Sequence, residues 1–243
     1  MKIEIRETKE NGIVQVTTLD ERWYHILDKD EFYPSSTWIC GYYPKGIPFY
    51  KWLAEKGWDE AEAIKVAAGN KGSRIHHAIE CLTKGTVLSM TDVLPDSEGE
   101  QKEFSVEEWE AVMSFVSWWK ETKPVLVCQE QVVVNHEEKY AGTLDLVVKI
   151  DGEPFIVDIK TGQNVWREHE LQISSYKHAY TGAIAPRMAI LQIGFKRNKK
   201  GFKFTEIDDC FDLFLAAKQI WKAENENVQP KQKDYPITLS LKG

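Results

Sequence analysis

At 243 residues the chain is long enough to bury a sizeable core in one domain. Its 42% hydrophobic and 28% charged residues exclude a disordered or fibrous chain, and nine Trp make it aromatic-rich. The formal net charge of −7 excludes a broadly basic surface, though not an enzyme whose site needs carboxylates and only a local basic track.

No apolar run approaches the roughly 20 residues that cross a bilayer, so no membrane partner is expected. Met1-Lys2-Ile3-Glu4-Ile5-Arg6-Glu7 alternates charged and aliphatic residues and reads as a strand, not a signal peptide. A cytoplasmic protein of bacterial or phage type is the expectation. Cys40, Cys81, Cys128 and Cys210 are isolated, with no pair at zinc or cluster spacing, which fits reduced thiols.

In chain order, Met1 to Thr18 reads as two short strands around Asn11-Gly12, and Trp23 to Asp30 as a short helix. In Tyr33-Pro34-Ser35-Ser36-Thr37-Trp38 the hydroxyls suit a helix cap or a phosphate contact, capping being the simpler role. Phe49 to Gly57 is predicted helical, and so is Asp59 to Lys84, with a break near Gly69-Asn70-Lys71-Gly72. Thr91 to Ser105 reads as a surface loop. Val106 to Lys120 is predicted as a helix with a stripe of Trp109, Val112, Met113, Val116 and Trp119. Strands are expected at Val125 to Val134, Tyr140 to Ile150, Pro154 to Lys160, Met188 to Phe195 and Phe202 to Ile207. Helices are expected at Trp166 to Tyr180 and Phe211 to Asn225. The fold class is α/β: a mixed central β-sheet flanked by helices, with an N-terminal helical addition. The expected organisation is one domain: a hairpin and helical addition over 1–70, a core over 71–207, and a helix and tail over 208–243.

The chemistry concentrates in the hairpin turned by Asp151-Gly152. Alternation in its second strand puts Phe155, Val157 and Ile159 on one face and Ile156, Asp158 and Lys160 on the other. An acid and an amine about 7 Å apart along a strand, with Asp145 on the neighbouring strand, are costly near a sheet centre unless they bind something. A divalent metal with a water to activate explains the arrangement. His76 and Glu80 share a helix face by their spacing of four, and so do Gln172 and Tyr176.

In order, Gly72/His76/Glu80, Gly142/Asp145, Asp158/Lys160 and Gln172/Tyr176 resemble the motifs of the PD-(D/E)XK nucleases, specifically their RecB-type branch. The likeness spans Gly72 to Tyr176 and is closest to small exonucleases of the mitochondrial genome-maintenance and phage types. It implies a restriction-endonuclease-like core and metal-dependent hydrolysis of DNA phosphodiesters. By this resemblance Asp145, Asp158, His76 and the Ile159 carbonyl hold one or two Mg²⁺ or Mn²⁺ ions. Lys160 orients or deprotonates the attacking water, Gln172 and Tyr176 line the site, and Glu80 and Glu130 support the metal shell. Some relatives hold an iron–sulfur cluster with a downstream Cys group; only Cys210 lies downstream of these motifs here, so no cluster of that pattern is expected.

DNA is the implied partner, single strands favoured, alongside recombination or replication proteins. Arg74, Lys177 and the run Lys196-Arg197-Asn198-Lys199-Lys200-Gly201-Phe202-Lys203 are candidate DNA contacts, and Lys231, Lys233 and Lys242 could add to them. Trp38, Tyr42, Tyr43 and Trp166 could stack unpaired bases, though core burial is the simpler role for each. Other readings are a double-strand exonuclease or an endonuclease of the same fold, a silent nuclease fold acting as a DNA-binding or assembly module, and a subunit of a helicase–nuclease complex. No Gly-x-x-x-x-Gly-Lys-Ser/Thr run is present, so an ATPase would have to come from a partner.

Overall fold

The computed structural model describes residues 4–8, 12–17, 21–97, 99–182, 186–226, 228, 230, 240 and 241. Asn11, Lys231, Lys233 and Lys242 lie outside these residues. The chain opens with a four-stranded antiparallel meander, β1 (Glu4–Thr8), β2 (Ile13–Thr17), β3 (Arg22–Ile26) and β4 (Glu31–Pro34), paired in sequence order. A helix was expected from Trp23 to Asp30, and the structure corrects this. Trp23 packs into one core while Tyr24 and Ile26 pack into another, so β3 is covered on both faces. Such a strand loses the apolar–polar alternation that would mark it.

Helix α1 (Ser36–Cys40) starts at Ser35, whose Oγ accepts a hydrogen bond from Trp38 N at 3.1 Å, the capping role anticipated for this segment. Helix α2 (Ile47–Lys56) is followed by α3 (Trp58–Thr83), which runs 26 residues with no break at Gly69–Gly72 and crosses the expected 70/71 boundary. Two glycines cost a helix about 1 kcal/mol each. Fully burying Ile75 and Ile79 contributes about 1.5–3 kcal/mol apiece and offsets that cost. The expected loop at Thr91 to Ser105 contains a short hairpin, β5 (Val93–Pro95) and β6 (Gln101–Glu103), its turn held by Glu100 N donating to Asp96 Oδ1 at 3.0 Å. The N-terminal addition is therefore part sheet as well as helix.

Helix α4 (Val106–Thr122) opens on a reciprocal Ser105–Glu108 capping box. Its buried stripe is Ala111, Val112, Phe115 and Trp118; Met113 points out, which shifts the expected stripe. Next come the five strands of the central sheet: β7 (Val125–Asn135), β8 (Tyr140–Ile150), β9 (Glu153–Lys160), β10 (Arg187–Ile193) and β11 (Phe202–Ile207). Their order is β11-β10-β9-β8-β7, with β9 and β10 parallel and the other pairs antiparallel. Helix α5 (Arg167–Ala179) makes the crossover between the parallel strands, and α6 (Phe211–Glu224) follows the last strand.

This is the mixed central sheet flanked by helices that the sequence predicts. On one face Ile156, Met188, Leu171, Tyr176 and Phe214 form a core, joined by α1. On the other, Phe155, Val157, Ile159 and Leu191 pack against Ile75 and Ala78 of α3 and Phe115 and Trp118 of α4. With both faces covered, β9 and β10 are apolar after their first residues, Glu153 and Arg187, except where Asp158, Lys160 and Gln192 interrupt them. Among the described residues no helix is long and apolar enough to cross a membrane.

Candidate active site

Three elements bring three candidate ligands together. His76 projects from α3, Glu130 from β7 and Asp145 from β8; His76 Nδ1 lies 3.4 Å from Asp145 Oδ1 and 3.8 Å from Glu130 Oε1. One ligand atom from each lies within 4.8 Å of the others. Glu130 sits between the Gln129–Leu146 and Gln131–Leu144 pairs with φ of 46°, a left-handed conformation inside a strand. A non-glycine residue held there costs on the order of 1–3 kcal/mol, and such strain concentrates at functional sites. The turn in the backbone sets the Glu130 carboxylate beside His76, where the family resemblance expects a supporting acid.

Adjacent to this cluster, Asp158 is 1% exposed on β9, and Lys160 Nζ lies 2.6 Å from its Oδ2. That approach is an ion pair without hydrogen-bond alignment, and Oδ2 is a buried oxygen with no aligned donor. Asp145 Oδ2 accepts from Ile159 N at 2.6 Å, which ties the two acid-bearing strands together. Lys160 Nζ donates to Gln172 Oε1 at 3.3 Å, and Gln172 Nε2 donates to Tyr176 OH at 2.6 Å and to Thr37 Oγ1 at 3.2 Å. Gln172 is thus held at both ends of its amide, and its carbonyl sets the position of the lysine. Gly142 has a steric reason: a Cβ there would meet Tyr176 Cε1 at 2.4 Å and Ser36 Oγ at 3.1 Å. It admits the phenol ring over the strand. Nothing lies within 4 Å of a Cβ built at Gly72.

The electrostatics follow from burying four ionisable groups together. Burial opposes a charge on His76, but Asp145 and Glu130 outweigh it and raise the imidazole to about 10. Burial would raise Asp145; the His76 charge prevails and holds it below the ordinary carboxylate range. At Asp158 burial prevails over Lys160 and, with Asp145 close by, pushes the carboxyl up to about 6. Burial would lower Lys160, yet Asp158 and Asp145 hold it above the usual lysine value. A divalent cation suits this set. It matches a mixed carboxylate and imidazole donor set and would offset the buried charge that keeps the Asp158 carboxyl raised even beside Lys160.

Other candidates are engaged elsewhere. Arg74, 11% exposed at its side chain, donates to Glu108 Oε1 at 2.9 Å and Asp96 Oδ2 at 3.2 Å, so a phosphate contact there gives way to a buried ion pair. Glu80 pairs with Lys84 at 2.6 Å and stands outside the ligand cluster. Lys177 pairs with Asp209 at 3.2 Å. Lys196 and Lys200 are matched by Glu107 and Glu121 of α4, at 2.8 and 2.5 Å, while Arg197 donates to Asn164 Oδ1 at 2.9 Å. Lys199 is exposed. Trp38 stacks edge-on with Trp23 and Trp221 inside the core, and Tyr42 and Tyr43 pack against it, whereas Trp166 is 56% exposed.

Two further residues lie near the site. Thr37, one of the hydroxyls read as a cap or a phosphate contact, reaches it because α1 packs beside α5, a contact no local pattern encodes; the other, His169, carried no sequence signal. His169 lies on the α5 face that carries Tyr176, two turns earlier, and its Nδ1 accepts from Trp166 N at 3.3 Å. Burial, then the Lys160 and Lys45 charges, hold it down to about 3, so it stays neutral. An unfolded histidine takes up its proton near about 6.5. Stability from this group is therefore complete above about 6.5 and is lost as pH falls from there towards 3. Urea unfolding should show wild type losing stability relative to His169→Asn as pH drops from about 7.5 to about 5. Parallel curves would mean that the folded imidazole titrates freely.

No protein-family model matches the chain. Comparison with curated proteins also finds no match. Among solved structures the chain is similar to the crystal structure of SSO0001, at 15% identity and a TM-score of 0.32, over 46% of this chain. That match spans about half, 55%, of the SSO0001 chain. It is also similar to an alkaline exonuclease (LHK-Exo) from Laribacter hongkongensis, at 10% identity and a TM-score of 0.40, over 78% of this chain and 86% of that one. At these scores neither likeness carries an argument about activity.

Proposed function

We propose that the protein is a Mg²⁺- or Mn²⁺-dependent DNA nuclease, acting without sequence specificity as an exonuclease on single-stranded ends in repair, recombination or replication. The observation that carries this reading is the meeting of His76, Glu130 and Asp145 beside a buried Asp158 oxygen without an aligned donor. Asp145, Asp158, His76 and the Ile159 carbonyl would hold the ion, with Glu130 at its edge. Bound there, it would supply a Lewis acid for the phosphate and lower the pKa of a water.

The remaining work falls to the chain. Lys160, kept protonated by Asp158 and Asp145, donates to the attacking water and orients it; it accepts the water's proton only once those carboxylate charges are engaged. Gln172 fixes the ammonium, and Tyr176, held well above its ordinary pKa by burial, stays a neutral phenol beside it. Lys160→Ala is expected to bind metal and DNA normally while single-turnover cleavage slows about 10²–10⁴-fold. Unchanged rates would remove Lys160 from the mechanism.

End-dependence rests on α2 and the first half of α3, whose exposed Tyr50 and Trp58, with Trp166, offer rings on which unpaired bases can stack. Linear single strands should be digested and closed single-stranded circles spared, as read on a denaturing gel. Rapid cutting of circles would overturn the exonuclease part, and faster digestion of blunt duplex the preference for single strands; either would leave a nuclease of another kind.

A further inference from the structure

A second site lies on the same face of the sheet as Asp158 and Lys160. In the parallel pair, Lys160 is in register with Gln192; in the antiparallel pair, Gln192 faces Lys203 and Ile190 faces Thr205. Residues in register project to the same side of a sheet, so Asp158, Lys160, Gln192, Lys203 and Thr205 line one continuous face over three strands. Above its outer part is a cavity of about 260 Å³, with Gln192 and Thr205 as floor and Phe195, Asn164, Arg197 and Lys203 around it. Its floor strand, β11, lies two strand spacings, about 10 Å, from the strand bearing Lys160.

The lining is polar. Gln192 is 2% exposed, and its Nε2 donates to Gly162 O at 2.9 Å, which ties β10 to the β9–α5 loop whose Gln163, Asn164 and Val165 line the cavity. Thr205 Oγ1 is buried under the floor with no hydrogen-bond partner, out of a ligand's reach. Two cations stand at the exposed rim, Arg197 and Lys203. The Arg197 guanidinium lies 6.0 Å from the Phe195 ring centroid and is held by Asn164 Oδ1. Glu170 also borders the cavity, but its charge is matched by Arg167.

We propose that this cavity binds one nucleotide unit of the substrate strand, its phosphate on Arg197 and Lys203 and its sugar and base against the Phe195–Arg197 wall. Cavity size sets the class: about 260 Å³ falls just under the usual range for drug-sized ligands and admits a single nucleotide, not an oligonucleotide. Paired cations beside an aromatic ring and neutral amides match a phosphate joined to a base. The choice of a deoxynucleotide rests on the nuclease reading. Placed beside Lys160 on one sheet face, the site would hold the nucleotide next to the bond being cut.

The test is calorimetric titration of dAMP, deoxyadenosine and inorganic phosphate, in EDTA, into wild type, Asp158→Ala, Thr205→Val and the double variant Arg197→Ala/Lys203→Ala. Working without metal or cleavage separates this result from the fate of the nuclease reading. Saturable dAMP binding is expected in wild type and Asp158→Ala alike, stronger than for deoxyadenosine or phosphate. It should weaken at least about tenfold in the double variant, the loss of a charge-assisted hydrogen bond, and hold in Thr205→Val, whose hydroxyl lies beneath the floor. Arg197 and Lys203 are exposed, so folding is not at stake. Equal binding in the double variant, loss of binding in Asp158→Ala, phosphate binding as tight as dAMP, or no saturable dAMP binding would each overturn the proposal.

Discussion

Asp158→Asn is expected to abolish DNA cleavage, by at least about 10³-fold, while leaving the fold at least as stable as wild type. The two effects share one cause. Asp158 is buried beside Asp145, and although its Oδ2 lies 2.6 Å from Lys160 Nζ, burial raises its pKa to about 6. Above that pH the ionised side chain is a net cost to the folded state, retained for what it holds. The neutral amide removes the cost and, with it, the charge a divalent ion needs. Single-turnover cleavage and urea unfolding, both at about pH 8, read the two halves. Cleavage comparable to wild type would end the site assignment, and a large loss of stability would mean that Asp158 is structural.

The second large effect is on folding. Arg74→Met should destabilise the protein by about 3–5 kcal/mol, because it leaves Asp96 and Glu108, 1% and 3% exposed at their side chains, without their shared cation. Glu108 keeps its two bonds from Ser105, N at 2.8 Å and Oγ at 2.7 Å, which places the cost towards the lower end. Adding Asp96→Asn and Glu108→Gln should restore part of the loss. A fall of less than about 1 kcal/mol in denaturant titration would show that the triad is solvated, not buried. Because Arg74 is two residues before His76, the same ion pairs fix the section of α3 that carries the candidate ligand.

What the sequence made legible was local pattern. The β8–β9 hairpin, with Asp158 and Lys160 on one face of β9 and Asp145 on the neighbouring strand, follows from alternation and an Asp-Gly turn, and the helix spacings of Gln172/Tyr176 and His76/Glu80 follow from 3.6 residues per turn. Where it failed, tertiary packing overrode the pattern. β3 is buried on both faces and lost its alternation; α3 runs through two glycines because its neighbours hold it. Arg74 resembled a phosphate contact because the acids it meets are 22 and 34 residues away. Glu130 and Thr37 were named from the sequence, but the backbone angle that turns the one and the packing of α1 on α5 that delivers the other are tertiary facts. His169, kept neutral by burial and the Lys160 and Lys45 charges, is not written in residue type or spacing.

Metal-dependent hydrolysis of DNA by this chain alone is tested by incubating the purified protein with labelled linear single-stranded DNA in Mn²⁺, in Mg²⁺ and in EDTA, with Asp158→Asn prepared in parallel. Cleavage is expected with either ion, with none in EDTA and none from the variant. Cleavage that persists in EDTA or in the variant, or no cleavage with either ion, would contradict it.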